Sequence, residues 1–136
     1  MKLVILSVLC LSAVAFKAND KQKVILDGWS KLFQPNRNDC IKQSGTSESS
    51  INGLFTTLEF PDNYNFKCYL HCQYVKLNFI DDKGNFNLPI MFEQVNLADR
   101  ETVEECANVG NQESDFCEKV YADVVCGVPK IIAKYN

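Results

Sequence analysis

The sequence predicts an all-α fold in a single small domain. Apolar residues recur at the three- and four-residue spacing of a helix, and turn-forming residues separate six such segments. No segment alternates convincingly between apolar and polar residues, which would be the pattern of a half-buried strand. The chain has 136 residues, of which 46% are hydrophobic. This is enough for one core but not for two ordinary domains.

The first two predicted helices lie on either side of a polar loop. Residues 20–34 carry apolar side chains at helical spacing, and Pro35 ends this helix because it disfavours helical geometry at the residue before it. Residues 44–50 are small and polar, so they predict a loop with a cap for the second helix at Thr46 or Ser47. The apolar side chains of that second helix are Ile51, Leu54, Phe55 and Leu58.

The third predicted helix, residues 66–79, is apolar on two faces and ends at the turn of residues 82–85. At about 100° per residue, Cys68, Cys72, Val75 and Phe79 share one face, and Leu70, Tyr74 and Leu77 share the opposite one. A helix with two apolar faces belongs in the middle of a domain.

The C-terminal third predicts three more helices. Pro89 is suited to the first turn of the fourth, which carries Met91, Phe92 and Val95. The fifth runs from a cap at Asp99 to about residue 109, and the sixth runs from Ser114 or Asp115 to about residue 126. The ten residues that follow are apolar enough that we expect them to fold back onto the protein.

Charge and histidine content disfavour two classes of function. The net charge is -3 and no block of basic residues is present, so nucleic acid is not an expected partner. His71 is the single histidine, so a hydrolase would depend on it alone. A metal site at Cys68, His71 and Cys72 is also not expected, because no second cluster completes four ligands and the cysteines have a better use in disulfides.

The N-terminus has the pattern of a secretory signal peptide, residues 1–15. Lys2 supplies the positive charge, residues 3–11 form an apolar run too short to span a bilayer, and Ala13 and Ala15 are the small residues that precede cleavage. Cleavage after Ala15 would leave residues 16–136 as a single domain and would remove Cys10, one of seven cysteines. We therefore expect an extracellular, soluble protein with six paired cysteines and no membrane insertion.

The spacing of these six cysteines limits their pairing without fixing it. Cys68 and Cys72 are one helical turn apart with nearly parallel side chains, so each more plausibly reaches a different element. Cys117 and Cys126 are about 13 Å apart along one predicted helix and lie on opposite faces, so they cannot pair. Ten of the fifteen possible pairings remain open at this point.

The cysteine spacing resembles that of the six-cysteine insect odorant-binding (pheromone-binding) protein family. Three residues separate the second and third cysteines, and eight separate the fifth and sixth. The segments around them are similar as well and occur in the same order, and the resemblance covers nearly the whole mature chain. These segments are Lys67-Cys68-Tyr69, Asp82-Lys83-Gly84-Asn85-Phe86, Thr102-Val103-Glu104-Glu105-Cys106 and Cys117-Glu118-Lys119-Val120-Tyr121.

The resemblance implies a six-helix, disulfide-linked bundle that encloses an apolar cavity. It implies three bridges, Cys40 to Cys72, Cys68 to Cys117 and Cys106 to Cys126. It also implies a secreted, non-enzymatic carrier of small hydrophobic ligands such as odorants or pheromones, with no cofactor and no metal. We expect the cavity to be lined by Leu54, Leu58, Tyr74, Leu77, Phe86, Met91, Val95, Val120 and Val124, and by Val128 and Ile131 from the tail.

Two alternatives to an odorant carrier remain at this stage. The same fold could serve as a carrier or scavenger of amines, lipids or hormones in saliva, haemolymph or reproductive fluid. A small phospholipase-type hydrolase would be helical and disulfide-rich too, but Gln73 stands after Cys72 where such enzymes have His-Asp. Whether the protein is a monomer or a homodimer, and whether a chemosensory receptor is a second partner, the sequence leaves open. With one histidine, we expect ligand affinity to change little between pH 7 and 5 unless a buried carboxylate takes part.

Overall fold

The computed structural model describes residues 15–136 and is all-helical, which confirms the predicted fold class. Within these residues the seven α-helices are α1 (Asp20–Phe33), α2 (Arg37–Ser44), α3 (Glu48–Ile51), α4 (Tyr64–Lys76), α5 (Leu88–Gln94), α6 (Arg100–Gly110) and α7 (Phe116–Ala133). Six of them have at least seven residues, and α3 is a single turn. Within the described range, the extended pairing is one isolated antiparallel bridge between Ile80 and Phe86. The predicted signal peptide lies outside the described residues except for Ala15.

Side-chain caps explain where most of the helices begin. Asn19 and Gln22 form a reciprocal capping box at α1, in which each side chain accepts a hydrogen bond from the other's backbone N–H. The other capping side chains are Ser47 for α3, Asn63 for α4, Asn87 for α5, Asp99 for α6 and Asp115 for α7. Each satisfies a backbone donor that the helix itself leaves without a partner.

The prediction between residues 34 and 58 is wrong in two respects. The first helix ends before Pro35 as predicted, within one residue, but a 3-10 turn, Gln34–Asn36, follows it at once and leads directly into α2, which was not predicted. The second predicted helix stops at Ile51, because the Gly53 carbonyl accepts hydrogen bonds from the backbone of Thr57 and Glu59 and closes a turn instead. Leu58 then has a φ of +53°, which a helix does not allow.

The next two helices end earlier than predicted. α4 ends at Lys76, and Asn78 has a φ of +59°, so Phe79 leaves the helix and packs into the core. α5 ends at Gln94, and the backbone of Val95 is extended. Both departures turn an apolar side chain inward from a position that is no longer helical.

α7 continues seven residues beyond the predicted end at Cys126, and it does so through Pro129. A proline inside a helix costs about 3 kcal/mol because its ring clashes and one hydrogen bond is lost. Ile131 and Ile132 are both buried, at 5% and 1% exposure, and each contributes roughly 1.5–3 kcal/mol of apolar burial. Packing against the rest of the protein therefore outweighs the local cost, and the tail folds back as a helix.

Three disulfide bridges connect the helices, and they are the pairs that the family resemblance implies. Cys40 links α2 to α4 through Cys72, and Cys68 links α4 to α7 through Cys117. The third bridge, Cys106–Cys126, links α6 to α7. Helices α2, α4, α7 and α6 thus form one covalently connected unit, whereas α1 and α5 are held by non-covalent packing.

The buried side chains form two neighbouring clusters. The larger contains Phe66, Leu70 and Phe79, which are no more than 1% exposed, and it lies among α2, α4, α6 and α7. The smaller joins α1 to the end of α7 through Leu26, Trp29 and Ile132, among others. Between residues 15 and 136, none of the helices has both the length and the apolar character that a membrane span would need.

Candidate functional site

An apolar cavity lies where the two clusters meet. Its volume is about 70 Å³, several times the roughly 10–15 Å³ that one water molecule needs. α1, α4, α5, α6, α7 and the segment that joins α5 to α6 all contribute to its wall. The lining residues are Trp29, Leu32, Phe33, Phe55, Tyr74, Phe79, Met91, Val95, Ala98, Thr102, Val103, Cys106, Asp123, Val124, Gly127, Val128 and Ile131.

Two groups of aromatic rings form part of this wall. Phe55 packs edge-to-face on both Trp29 and Phe33, with ring centroids 6.4 and 5.1 Å apart. Tyr74 packs in the same way on Phe79, at 5.3 Å. These edge-to-face contacts fix the ring orientations and leave a cavity bounded almost entirely by carbon.

Most polar atoms of the lining residues already have partners in the protein. The indole N–H of Trp29 donates to the Asn96 carbonyl at 3.2 Å. The Thr102 hydroxyl donates to Asp99 at 2.9 Å and accepts from Lys134 at 3.0 Å. These groups hold the wall together and are not free to select a ligand.

Asp123 is the charged side chain of the cavity wall. It is 4% exposed, and its Oδ2 accepts a hydrogen bond from the Tyr74 hydroxyl at 2.6 Å. Burial raises the pKa of Asp123 to about 6, although the hydrogen bond from Tyr74 works in the opposite direction. Burial, together with the neighbouring carboxylate, also raises the pKa of Tyr74 well above its ordinary value, so the tyrosine remains the donor.

The structure brings six of the eleven sequence-predicted pocket residues together in this cavity. These six are Tyr74, Met91, Val95, Val124, Val128 and Ile131. They come from α4, from α5 and its C-terminal end, and from α7, including the two tail residues.

The other five lie elsewhere in the protein. Leu54 lines a separate pocket beside Tyr69, and Leu58 packs on the smaller cluster after the turn. Val120 is fully buried in the larger cluster, and Leu77 packs against the same cluster. Phe86 stands behind the wall, where its ring packs on Tyr74 at 6.3 Å.

The contribution of α1 to the cavity wall and the buried carboxylate of Asp123 were not predicted from the sequence. Trp29, Leu32 and Phe33 showed the helical spacing of a core face, which does not distinguish a packed core from a cavity wall. Asp123 lies between apolar residues in the pattern of α7, where Val120 and Val124 mark the buried face. Asp123 lies one turn before Gly127 and next to Val124. This position is the sequence signal that indicates a buried carboxylate.

Comparison with known proteins agrees with this architecture. The family model described as PBP/GOBP matches residues 26–129, more than half of the chain. The chain belongs to the PBP/GOBP family. General odorant-binding protein 99a of Drosophila melanogaster is 22% identical over 105 residues, which are 72% of this chain and 73% of that protein. No solved structure gives a significant match.

The PBP/GOBP match includes all six bridged cysteines and every cavity-lining residue except Ile131. The family is one of binding proteins and not of enzymes. Cys68 and Cys72 are both in disulfides, and the imidazole of His71 packs near the ring of Phe116 at 6.0 Å. Burial lowers the pKa of His71, opposed by the nearby Asp115.

In this PBP/GOBP chain, three hydrogen bonds connect the segment between α5 and α6 to other parts of the described structure. Besides the bond from Trp29 to Asn96, the hydroxyl of Tyr135 donates to the Leu97 carbonyl at 3.4 Å, and Lys134 donates to Asp99 at 2.6 Å. The contact with Lys134 is the main reason why the pKa of Asp99 falls to about 2. The segment between α5 and α6 is therefore held by non-covalent contacts to α1 and to the residues that follow α7.

Proposed function

We propose that this protein is a secreted carrier that binds small hydrophobic ligands, odorants or pheromones, in its interior cavity and delivers them through extracellular fluid. The observation that carries the proposal is the apolar cavity among α1, α4, α5, α6 and α7 in a chain of the PBP/GOBP family. A pocket bounded by hydrocarbon and aromatic rings binds by removing apolar surface of the ligand from water, at roughly 25 cal/mol per Å².

The arrangement of the bridges suggests how a ligand enters. Helices α4, α6 and α7 are cross-linked and form a rigid half of the wall. α1, α5 and the segment after α5 form the other half and have no bridge. Since a cavity of about 70 Å³ suits only a small molecule, longer ligands are accommodated by outward movement of this second half.

A ligand-displacement assay with two matched glycine variants tests the proposal. Gly127 lines the cavity, and a Cβ added there would meet only Cys106, at 3.9 Å. Gly28 lies on the exposed face of α1, where a Cβ would meet nothing within 4 Å. Gly127→Leu should fill part of the cavity and weaken binding of an apolar fluorescent probe at least tenfold, whereas Gly28→Leu should leave binding unchanged. Failure of the unaltered protein to bind the probe would reject the carrier function.

Secretion is part of the proposal and has its own test. Three disulfides form and persist in an oxidising compartment, and residues 1–15 have the pattern of a cleaved leader. The mass of the protein recovered from the medium of secreting insect cells should correspond to a chain that begins at Phe16. Retention inside the cells with residues 1–15 attached would contradict this.

The alternative is a carrier of amines, lipids or hormones outside the olfactory system. The buried carboxylate of Asp123 supports this alternative, because a pocket that binds only hydrocarbons does not require a carboxylate. Mass spectrometry of molecules that co-purify with the native protein, together with the tissue of expression, separates the two.

We also propose that the protein has no hydrolytic activity. His71 lies away from the cavity, and its neighbours are Phe116 and the two disulfide bridges. A lone histidine without a nucleophile to activate cannot organise acyl or phosphoryl transfer. Ester, peptide and phospholipid hydrolysis should all be absent, and turnover that disappears in His71→Ala would overturn the carrier function.

A further inference from the structure

Asp123 has an accepting oxygen that the protein itself does not use. Its Oδ2 accepts from the Tyr74 hydroxyl, but within residues 15–136 no donor reaches its Oδ1. The side chain is 4% exposed and forms part of the cavity wall. A buried carboxylate with one hydrogen bond is under-satisfied, since its two oxygens together offer about four acceptor sites.

Within residues 15–136, no lysine or arginine forms an ion pair with this carboxylate. Of the lysines on or next to α7, Lys119 donates to the Gly84 carbonyl at 2.9 Å, Lys130 pairs with Glu105 at 2.6 Å, and Lys134 pairs with Asp99. All three are thus engaged at the surface by other acceptors. Among the described residues, the hydrogen-bond partner of Asp123 is a neutral hydroxyl. Because Asp123 lines the cavity, a ligand bound there is placed to supply a donor for its second oxygen.

We propose that Asp123 binds the donor group of an otherwise apolar ligand, a hydroxyl or an ammonium at one end of a hydrocarbon body. This rests on the proposed function and names the class of ligand that the cavity selects. The donor would bond to Oδ1 while Tyr74 keeps Oδ2 in place. The hydrocarbon body would lie against the aromatic rings and the aliphatic wall, which have no polar atom to spare.

The same geometry disfavours ligands whose only polar atom is an acceptor. An ether or carbonyl oxygen would face the lone pairs of a carboxylate, and neither side would supply a proton. The indole of Trp29 and the hydroxyl of Thr102, the donors that could have served such a ligand, are occupied by Asn96 and Asp99. Selection between donor and acceptor head groups therefore depends on Asp123.

Four molecules with nine non-hydrogen atoms each provide the test: octan-1-ol, octan-1-amine, 1-methoxyheptane and nonane. Each is titrated at pH 7.5 against the full mature protein loaded with N-phenyl-1-naphthylamine as the fluorescent probe. The alcohol and the amine should bind at least tenfold more tightly than the ether and the alkane, which is the usual effect of a hydrogen bond to a charged group. Equal displacement by all four would overturn this inference and leave the proposed function intact, whereas failure to bind the probe would reject both.

Two variants of Asp123 and one control assign the effect to the carboxylate. Asp123→Leu should bind all four molecules within about threefold of one another. Asp123→Asn, which keeps an accepting oxygen but loses the charge, should lose more affinity for the amine than for the alcohol, and it serves if the leucine variant does not fold. Val124→Ala changes the adjacent wall and should shift all four affinities by a similar factor. If Asp123→Leu still prefers the alcohol and the amine, the inference is overturned. It is also overturned if Asp123→Asn retains the preference for the amine.

Discussion

The hydroxyl of Tyr74 donates to Asp123 Oδ2 at 2.6 Å and so joins α4 to α7 at the wall of the cavity. Both side chains are buried, at 7% and 4% exposure. The carboxylate gains one hydrogen bond and loses its hydration. The loss of hydration is the larger effect, and it therefore raises the pKa of Asp123 to about 6. The protein therefore carries a charge in its interior at neutral pH that weakens its own stability.

Replacement of this acid should stabilise the folded protein at neutral pH. The pKa of Asp123 is about 6 when folded and 3.8 for the ordinary group, so between these values the native state binds the extra proton and stability falls as pH rises. Above pH 6 the penalty is complete, at about 3 kcal/mol by the conversion of pKa differences into free energy. We expect Asp123→Asn to exceed the unaltered protein in free energy of unfolding by up to this amount at pH 7.5, and by little at pH 4. Urea unfolding at the two pH values measures it, and an equal difference at both would contradict the assignment.

Asp99 should show the opposite dependence and serves as the comparison. Lys134 and the capped backbone of α6 lower its pKa to about 2, so the folded state prefers the charged form. Its contribution to stability is present above pH 4 and is lost as pH falls toward 2. We expect Asp99→Asn to destabilise the protein at pH 7 and to lose most of that effect near pH 2. A stabilising effect at pH 7 would show that the bond to Lys134 is not formed in solution.

Two glycines should respond to alanine in opposite ways. Gly28 is helical and open, so Gly28→Ala should raise the free energy of unfolding by about 0.5–1 kcal/mol. Gly84 has a φ of +83°, and an added Cβ would collide with the ring of Phe116, so Gly84→Ala should lower it. Thermal and urea unfolding of the two variants at one pH measures both shifts. Equal effects would mean that the turn before α5 tolerates a side chain.

Variants of two adjacent isoleucines in the tail distinguish effects on stability from effects on ligand binding. Ile131 lines the cavity, whereas Ile132 packs on α1 in the smaller cluster and does not line it. Alanine at either position should cost about 2–5 kcal/mol of stability. Only Ile131→Ala should change the affinity for an apolar probe, measured well below the unfolding temperature of both variants. If Ile132→Ala changes affinity as much, the tail acts on the site indirectly.

The mature protein should contain no free thiol, since all six cysteines from Cys40 to Cys126 are paired. Alkylation without a reductant should add no mass, and any added label would contradict the three-bridge framework. Removing the Cys68–Cys117 bridge, which spans 49 residues, should cost about 4 kcal/mol, compared with about 3 kcal/mol for Cys106–Cys126, which spans 20. Urea unfolding of the two double-alanine variants measures the difference.

Local features of the sequence were sufficient for much of the fold. The caps at Ser47, Asp99 and Asp115 lie where the pattern of short polar residues predicts them, because a cap depends on neighbours only three residues away. The helical class follows from periodicity for the same reason. Local rules failed at residues 52–58, where a glycine closed a turn, and after Cys126, where distant packing extended α7 through Pro129.

The sequence by itself determined the helical class, most helix starts and, through the cysteine spacing, the family. The tertiary structure alone decided which apolar residues face a cavity and which are packed core. The sequence predicts both Tyr74 and Val120 as cavity residues, yet Tyr74 lines the cavity and Val120 is fully buried in the core. The pairing of Asp123 with Tyr74 also appears only in three dimensions, because the two residues are 49 positions apart and meet where α4 crosses α7. A cavity is a property of how helices from distant parts of the chain fail to fill space, and no periodicity within one helix records it.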